Sequence, residues 1–375
     1  MARKVDPEQQ KAALVGLLEA GIKAIASEGV DNISVQSVSS IAKTSRPTFY
    51  AYFGDINGLL AEIWLAKSSQ WLKDLIDLER PLTSLTKDEA NLHRAMTEIL
   101  AASHRIDEVE ELVRPSMQLW WTELAKTSEM NQLKCIWIMG ERLGVSLTDL
   151  IDPKVREAQF IEQVISMVPN DFVFETKQKL EKLPKVSEPA IDELDLEFKL
   201  LKSAIEIIST GGVKSASMAR VARKTQVSTG AVYPRYAKVD DLIEGSFEVA
   251  VAKVVEQNFS LLQSGNFGPE DFGLFVMAGL TESRKIWRNF RIEIHLGARG
   301  RPNLAARLAQ NIRDTNATVA TRLTDYNQPE LTQGPIPYLV HCIGIGLAIL
   351  QNAGVPVIKL DHRAISVAMV KIISI

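Results

Sequence analysis

Five histidines, two cysteines and a Glu-x-His pair are the side chains that could serve as metal ligands, nucleophiles or general bases. Glu293 and His295 stand two apart, so on a helix their side chains diverge and make poor joint ligands. His93, His104, His341 and His362 do not cluster in sequence. The chain opens "MARKVDPEQQKAALV", without the apolar core of a secretion signal, so Cys135 and Cys342 are expected as buried free thiols. No glycine-rich phosphate loop, His-Glu-x-x-His pair or Cys-x-x-Cys motif occurs, and neither an enzyme nor a cofactor or metal is expected. A different chemistry lies in the basic residues. No Asp or Glu occurs from Asn32 to Gly54 or from Ile207 to Val239, where the chain's 46 acids would place about seven on average. Lys43 and Arg46 fall in the first window, and Arg223, Lys224, Arg235 and Lys238 in the second. Each window therefore suits a surface facing phosphates, which an overall charge of −3 permits locally and forbids as a general coat.

The elements that must carry these residues recur. "VSSIAKTSRPTFYAYF", Val38 to Phe53, is followed 183 residues later by "VARKTQVSTGAVYPRY", Val221 to Tyr236. The same offset superimposes the stripe Leu17, Leu18, Gly21, Ile22, Ile25 on Leu200, Leu201, Ala204, Ile205, Ile208, the spacing of one buried helix face. Gly29-Val30 and Gly212-Val213 follow each stripe, where glycine can close a helix. Half of 375 is close to the offset itself, so the chain reads as two copies of one whole domain. "LPKVSEPAIDELD", Leu183 to Asp195, with two prolines and four acids, reads as the linker.

Within each copy the quoted stretch predicts two short helices and a tight turn. The first is expected from about Ser34 to Lys43, with Ser34 and its counterpart Ser217 as N-caps. Ser45 caps the second, with Pro47 in its first turn, and Ser228 takes the same place in the later copy. Phe49 and Phe53, and likewise Val232 and Tyr236, anchor one face and leave the other free for a DNA groove.

This arrangement resembles the TetR family of transcriptional regulators. The resemblance rests on Val221, Ala222, Val227, Ser228 and Tyr233, on the looser twin Val38, Ser45, Tyr50 and Phe53, and on Gly29-Val30 and Leu59-Leu60. It implies an all-α chain of two tandem units, each a helix-turn-helix head followed by a helical ligand-binding and dimerisation domain. The expected divisions are a head at 1–62, a regulatory domain at 63–183, a linker at 184–195, a second head at 196–246 and a second regulatory domain at 247–375. Only the heads carry motifs; the regulatory segments fit by length and pattern.

The resemblance implies a DNA-binding regulator of the repressor type, located in the cytoplasm, with double-stranded DNA and a small-molecule effector as partners and no membrane. Lys43, Arg46, Arg223, Lys224, Arg235 and Lys238 are then expected at phosphates, and Thr48, Tyr50, Thr229 and Tyr233 at bases or backbone. Arg3 and Lys4 could form a minor-groove arm. The sequence also departs from the family. Ile56 and Val239 replace a phosphate-holding lysine, for which Asn57 or Lys238 could substitute. Tyr52 and Arg235 replace a histidine near the end of the recognition helix, and Pro234 should shorten the second one. The heads thus read different sequences, or one has weakened; a protein-interaction module derived from such a regulator is the alternative.

Family members pair as homodimers to reach successive groove faces, and two heads in one chain could do so alone as a monomeric pseudo-dimer or could still form a homodimer. The expected pairing helices are "GIGLAIL" (Gly344 to Leu350) and Arg363 to Ile375 against Cys135 to Gly144 and Lys154 to Val168, as an intramolecular four-helix bundle. Met117, Trp120 and Trp121, and Phe275, Met277, Trp287 and Phe290, could line effector pockets, although such residues at helical spacing serve equally as core.

Overall fold

The computed structural model describes residues 7–127, 132–159, 195–259, 271–322 and 335–360, with Arg363, Ile365, Ser366, Met369 and Val370. The described residues form fourteen α-helices joined by turns and short 3₁₀ segments. The linker at 184–194 and most of Lys154 to Val168 and Arg363 to Ile375 lie outside them, as do Arg3 and Lys4.

In the first half, α1 (Pro7–Glu28) buries Leu17, Leu18, Ile22 and Ile25 and ends at Gly29, whose φ of 88° only glycine adopts freely. The predicted Ser34–Lys43 helix is shorter, α2 (Val35–Ile41), because Lys43 turns into the left-handed region at φ 52°. Ser34 and Ser37 form a reciprocal capping box at its start. α3 (Arg46–Phe53) begins at Ser45, whose hydroxyl accepts from the Thr48 amide, and Pro47 sits where no helical bond is lost. α4 (Ile56–Asp74) leaves the head without a break at residue 62. α5 (Lys87–Ala102), α6 (Asp107–Thr127) and α7 (Gln132–Thr148) complete the half. Arg142 of α7, fully buried, donates to the carbonyls of Asp74, Leu75, Asp77 and Arg80 and so closes the end of α4.

Asp195, the last of the expected linker residues, instead caps α8 (Leu196–Gly211) through the Glu197 amide. Leu200, Leu201, Ala204, Ile205 and Ile208 are buried, and Gly212 closes the helix at φ 76°. α9 (Met218–Thr225) is capped by Ser217, and Gln226 follows at φ 62°. Here a sequence expectation fails. Instead of a recognition helix there is a single 3₁₀ turn, Thr229–Ala231, and Ser228 makes no side-chain capping bond. Proline has no N–H to continue a ladder, and beyond Pro234 both Arg235 and Tyr236 turn back to one carbonyl, that of Val232. α10 (Val239–Phe259), α11 (Phe272–Leu280), α12 (Lys285–Ala298), α13 (Pro302–Arg322) and α14 (Pro335–Asn352) follow.

The two halves meet chiefly where α7 crosses α14. A Cβ on Gly144 would stand 2.1 Å from the Cys342 carbonyl oxygen, and one on Gly346 would stand 1.9 Å from that of Gly140, so the backbones touch. Of the four segments expected to pair, this contact joins Cys135 to Gly144 with Gly344 to Leu350. Gly346→Val should cost at least about 1–3 kcal/mol, checked by urea unfolding, because the clash is with backbone and no side chain can yield. α14 has the length and composition to cross a membrane, but 78% of it is buried within the protein, as befits a core helix.

Charges are exchanged across the same boundary. Arg299, after α12, donates to Glu98 of α5 and to the carbonyls of Ile25 (3.0 Å) and Ala26 (2.7 Å) at the end of α1. Glu98 also accepts from the Val30 amide at 2.7 Å. In the other direction Arg105 donates to Glu293 of α12 at 2.8 Å, beside Gly212 at the end of α8, and to Asp31. Each half thus supplies an arginine to the carboxylate that sits at the first helix of the other.

Four histidines, His93 and His295 buried and His104 and His341 half-buried, carry a pH prediction. Burial holds His93 and His295 down at about 3, His104 at about 4 and His341 well below its ordinary value. Their stabilising contribution is complete above pH 6.5 and is lost as pH falls. Burial raises Glu98, and raises Glu293 to about 8 against the pull of Arg105, so these two favour the fold more as pH falls. Four groups outnumber two, and Tm is expected to drop on the order of 5 °C between pH 7 and pH 5, read by calorimetry.

Candidate nucleic-acid interface

The first head presents α3 on a base of buried aromatic rings. Phe49 and Phe53 are buried with ring centroids 5.1 Å apart, and they fix which face turns outward. On that outer face stands Tyr50, 52% exposed, with Arg46, Pro47 and Ala51 also exposed. Lys43 is exposed in the turn between α2 and α3, and Ile41, 42% exposed, adds an apolar contact at the end of α2.

Several expected contact residues have structural duties. Ser34, Ser45 and Ser217 are N-caps. Thr48 is half-buried, and its hydroxyl lies 2.8 Å from that of Ser45. Tyr52 does not face outward as expected. It is half-buried and its hydroxyl donates to the Gln10 carbonyl at 2.9 Å, tying α3 to α1. Asn57, a candidate substitute for the phosphate lysine, donates to Glu108 at 3.4 Å, and half-buried Ile56 packs on the core.

In the second acid-free window, Arg223, Ser228, Tyr233, Arg235 and Lys238 are exposed, and Thr229 is half-buried. Tyr233 is 55% exposed and follows buried Val232, as Tyr50 follows buried Phe49. Lys224, exposed, is drawn to Glu206 at 2.7 Å, an acid one residue before the acid-free window. Arg235 donates to the Ala231 carbonyl at 3.2 Å, and the Lys238 ammonium lies 4.0 Å from Asp241. Arg220, not singled out from the sequence, is exposed three residues before Arg223 on α9. That i, i+3 pairing of arginines in an acid-free window was the signal that could have found it.

The expected pocket residues divide. Met117 and Trp121 are buried core, with Trp120 half-buried against it. In the second half Phe275, Trp287 and Phe290 line a cavity among α10 to α14, while Met277 is buried outside its lining. Among the described residues, no three His, Cys, Asp or Glu side chains gather as a metal site.

A search of curated proteins finds no match. Among solved structures, a transcriptional regulator from Rhodococcus sp. Rha1 is similar over 48% of this chain and 97% of its own length, at 17% identity and a TM-score of 0.42. Residues 17–63, from the buried stripe of α1 through α2 and α3 into α4, match the family model described as bacterial regulatory proteins, tetR family. Residues 17–63, the first head, are therefore similar to the helix-turn-helix of bacterial regulatory proteins of the tetR family.

Proposed function

We propose that the chain is a sequence-specific, effector-responsive repressor acting in the cytoplasm, built from two tandem units whose unlike heads grip one operator as a pseudo-dimer. The observation that carries this reading is a backbone coincidence. Among the described residues, the non-glycine positions with positive φ are Lys43 and Gln226, 183 apart, following α2 and α9, the second helix of each head. Such a conformation is uncommon outside glycine, and its recurrence at the sequence offset supports a duplicated unit. The paired exposures of Tyr50 and Tyr233 and the reciprocal arginines at the half boundary support it further. Under this reading the divisions are a head to residue 62 and a regulatory domain to 183, then a head from 196 and a regulatory domain from 247.

Phosphates fall to Lys43, Arg46, Arg223, Arg235 and Lys238, with Lys224 reaching DNA only by leaving Glu206. Tyr50 and Tyr233 are the candidate base readers, joined by Thr48 and Thr229 from half-buried positions. The test is selection of genomic DNA by the purified protein at low and near-physiological salt. Two unlike half-sites uphold a single-chain pseudo-dimer, whereas a palindrome means that like heads of two chains pair. No enrichment at either salt, with and without cell extract as a source of effector, overturns the reading. The second head's missing recognition helix and the Lys224–Glu206 pair favour a variant in which that head has become an interaction surface. One conserved half-site in the selected DNA would identify that case.

A further inference from the structure

The cavity of the second half contains a charge that the protein leaves unanswered. Five helices, α10 to α14, line a partly open cavity of about 180 Å³ walled by apolar side chains such as Phe247, Phe275, Trp287, Phe290 and Ile312. Three arginines reach its lining, Arg284, Arg288 and Arg291. Two are occupied. Arg288 donates to Asn352 Oδ1 at 3.1 Å and to the carbonyls of Gly279 and Thr281, while Arg291 donates to Nδ1 and to the carbonyl of His341. Arg284, from the 3₁₀ turn Glu282–Arg284 between α11 and α12, is only 1% exposed, and none of its three guanidinium nitrogens has a hydrogen-bond partner. Burial pulls it down to about 10 with no carboxylate acting against that shift. A buried guanidinium without an acceptor is unfavourable, and an entering anion would offset that cost.

The remaining unpartnered atoms of the lining describe the rest of a ligand. His295 directs Nδ1 at the Arg291 carbonyl, 2.7 Å away, so Nδ1 holds the proton and Nε2 is left as an acceptor. His341 accepts at Nδ1 from Arg291, so its Nε2 is a donor, as are Trp287 Nε1 and Asn316 Nδ2. The polar atoms are thus mostly donors, Arg284 is the one of the three lining guanidinium cations without a hydrogen-bond acceptor, and the walls are apolar. An apolar protein cavity of roughly 150 Å³ accommodates benzene, which sets the scale of the apolar body.

We propose that this cavity binds a small amphipathic monocarboxylate, its carboxylate held by the Arg284 guanidinium and its apolar part, about one aromatic ring in size, packed among Phe275, Trp287 and Phe290. The proposal gives a chemical class to the effector and in that respect rests on the regulator reading above. The test is calorimetric titration of the full chain with benzoate and hexanoate, each against its neutral amide. A carboxylate should bind about 30-fold or more tightly than its amide, and Arg284→Gln should abolish that preference while leaving weak amide binding in place. Arg284→Met should also raise Tm without ligand, since it removes an unanswered charge. Equal binding of acid and amide, no binding of either carboxylate, or a lower Tm for Arg284→Met would overturn the proposal. The acid and amide comparison on the unaltered protein decides the matter even where a variant fails to fold. DNA affinity measured with and without benzoate separates the two readings. Carboxylate binding that leaves DNA affinity unchanged upholds the cavity assignment and removes only the effector role.

Discussion

Replacing Arg46 and Tyr50 together by alanine should lower affinity for the selected DNA about 100-fold, whereas Tyr233→Ala with Arg235→Ala should lower it about tenfold. The difference follows from what supports each pair. Arg46 and Tyr50 ride on a two-turn helix with a side-chain cap and a buried aromatic base, so their approach to a groove is fixed before DNA arrives. Tyr233 and Arg235 flank Pro234 after a single 3₁₀ turn, and Arg235 already donates to the Ala231 carbonyl. A base contact is worth roughly 1–3 kcal/mol, and a phosphate contact adds a salt-dependent share. Fluorescence anisotropy across a salt series checks both parts. Arg46→Ala alone should reduce the slope of log affinity against log salt by about one and weaken all sequences alike. Equal losses from the two double variants would mean that the irregular second head reads DNA as firmly as the first.

Arg299→Ala should destabilise the chain by about 3–5 kcal/mol, a large part of the stability of an ordinary domain. Arg299 is nearly buried, its Glu98 partner is buried, and its other guanidinium bonds close the carbonyl end of α1. Without it Glu98 retains only the Val30 amide, and burial drives the carboxyl to take up a proton. Glu98→Gln in the same chain removes the cost of protonating a buried carboxylate and should recover part of the loss. Chemical denaturation of the two single variants and the double variant measures the coupling. A cost under about 1 kcal/mol for Arg299→Ala would show that the bridge contributes little to the fold.

How much of this could be read from sequence depended on the range of the interaction. The caps at Ser34, Ser45 and Ser217 and the stops at Gly29 and Gly212 are local, since a helix end shows its need for a hydroxyl or a positive φ within four residues. The glycines of α14 were legible as close-approach positions because small size has few other uses in an apolar helix. Ser228 has the same type and offset as Ser45, yet Thr229-Gly230-Ala231 does not extend into a helix and the cap finds nothing to bond. Tyr52 looked like a surface residue because its partner, the Gln10 carbonyl, is 42 residues away. The buried ions were least visible. Nothing near Arg105, Arg299 or Arg284 in sequence distinguishes them from solvated arginines, because their burial is imposed by helices from distant parts of the chain.

The arginine exchange also dictates an order of events during synthesis. The bonds that close α1 join Arg299 to residues 273 and 274 positions earlier, and the ion pair spans 201. A ribosome that has finished the entire first half has therefore released a chain in which the Arg299 bonds to the end of α1 are still missing and Glu98 of α5 still lacks its ion partner. Long-range closure of this kind is slow, and exposed incomplete surfaces invite association with other nascent chains. The first half is expected to await its complement through most of translation, and chaperone occupancy should persist until Arg299 has cleared the exit tunnel.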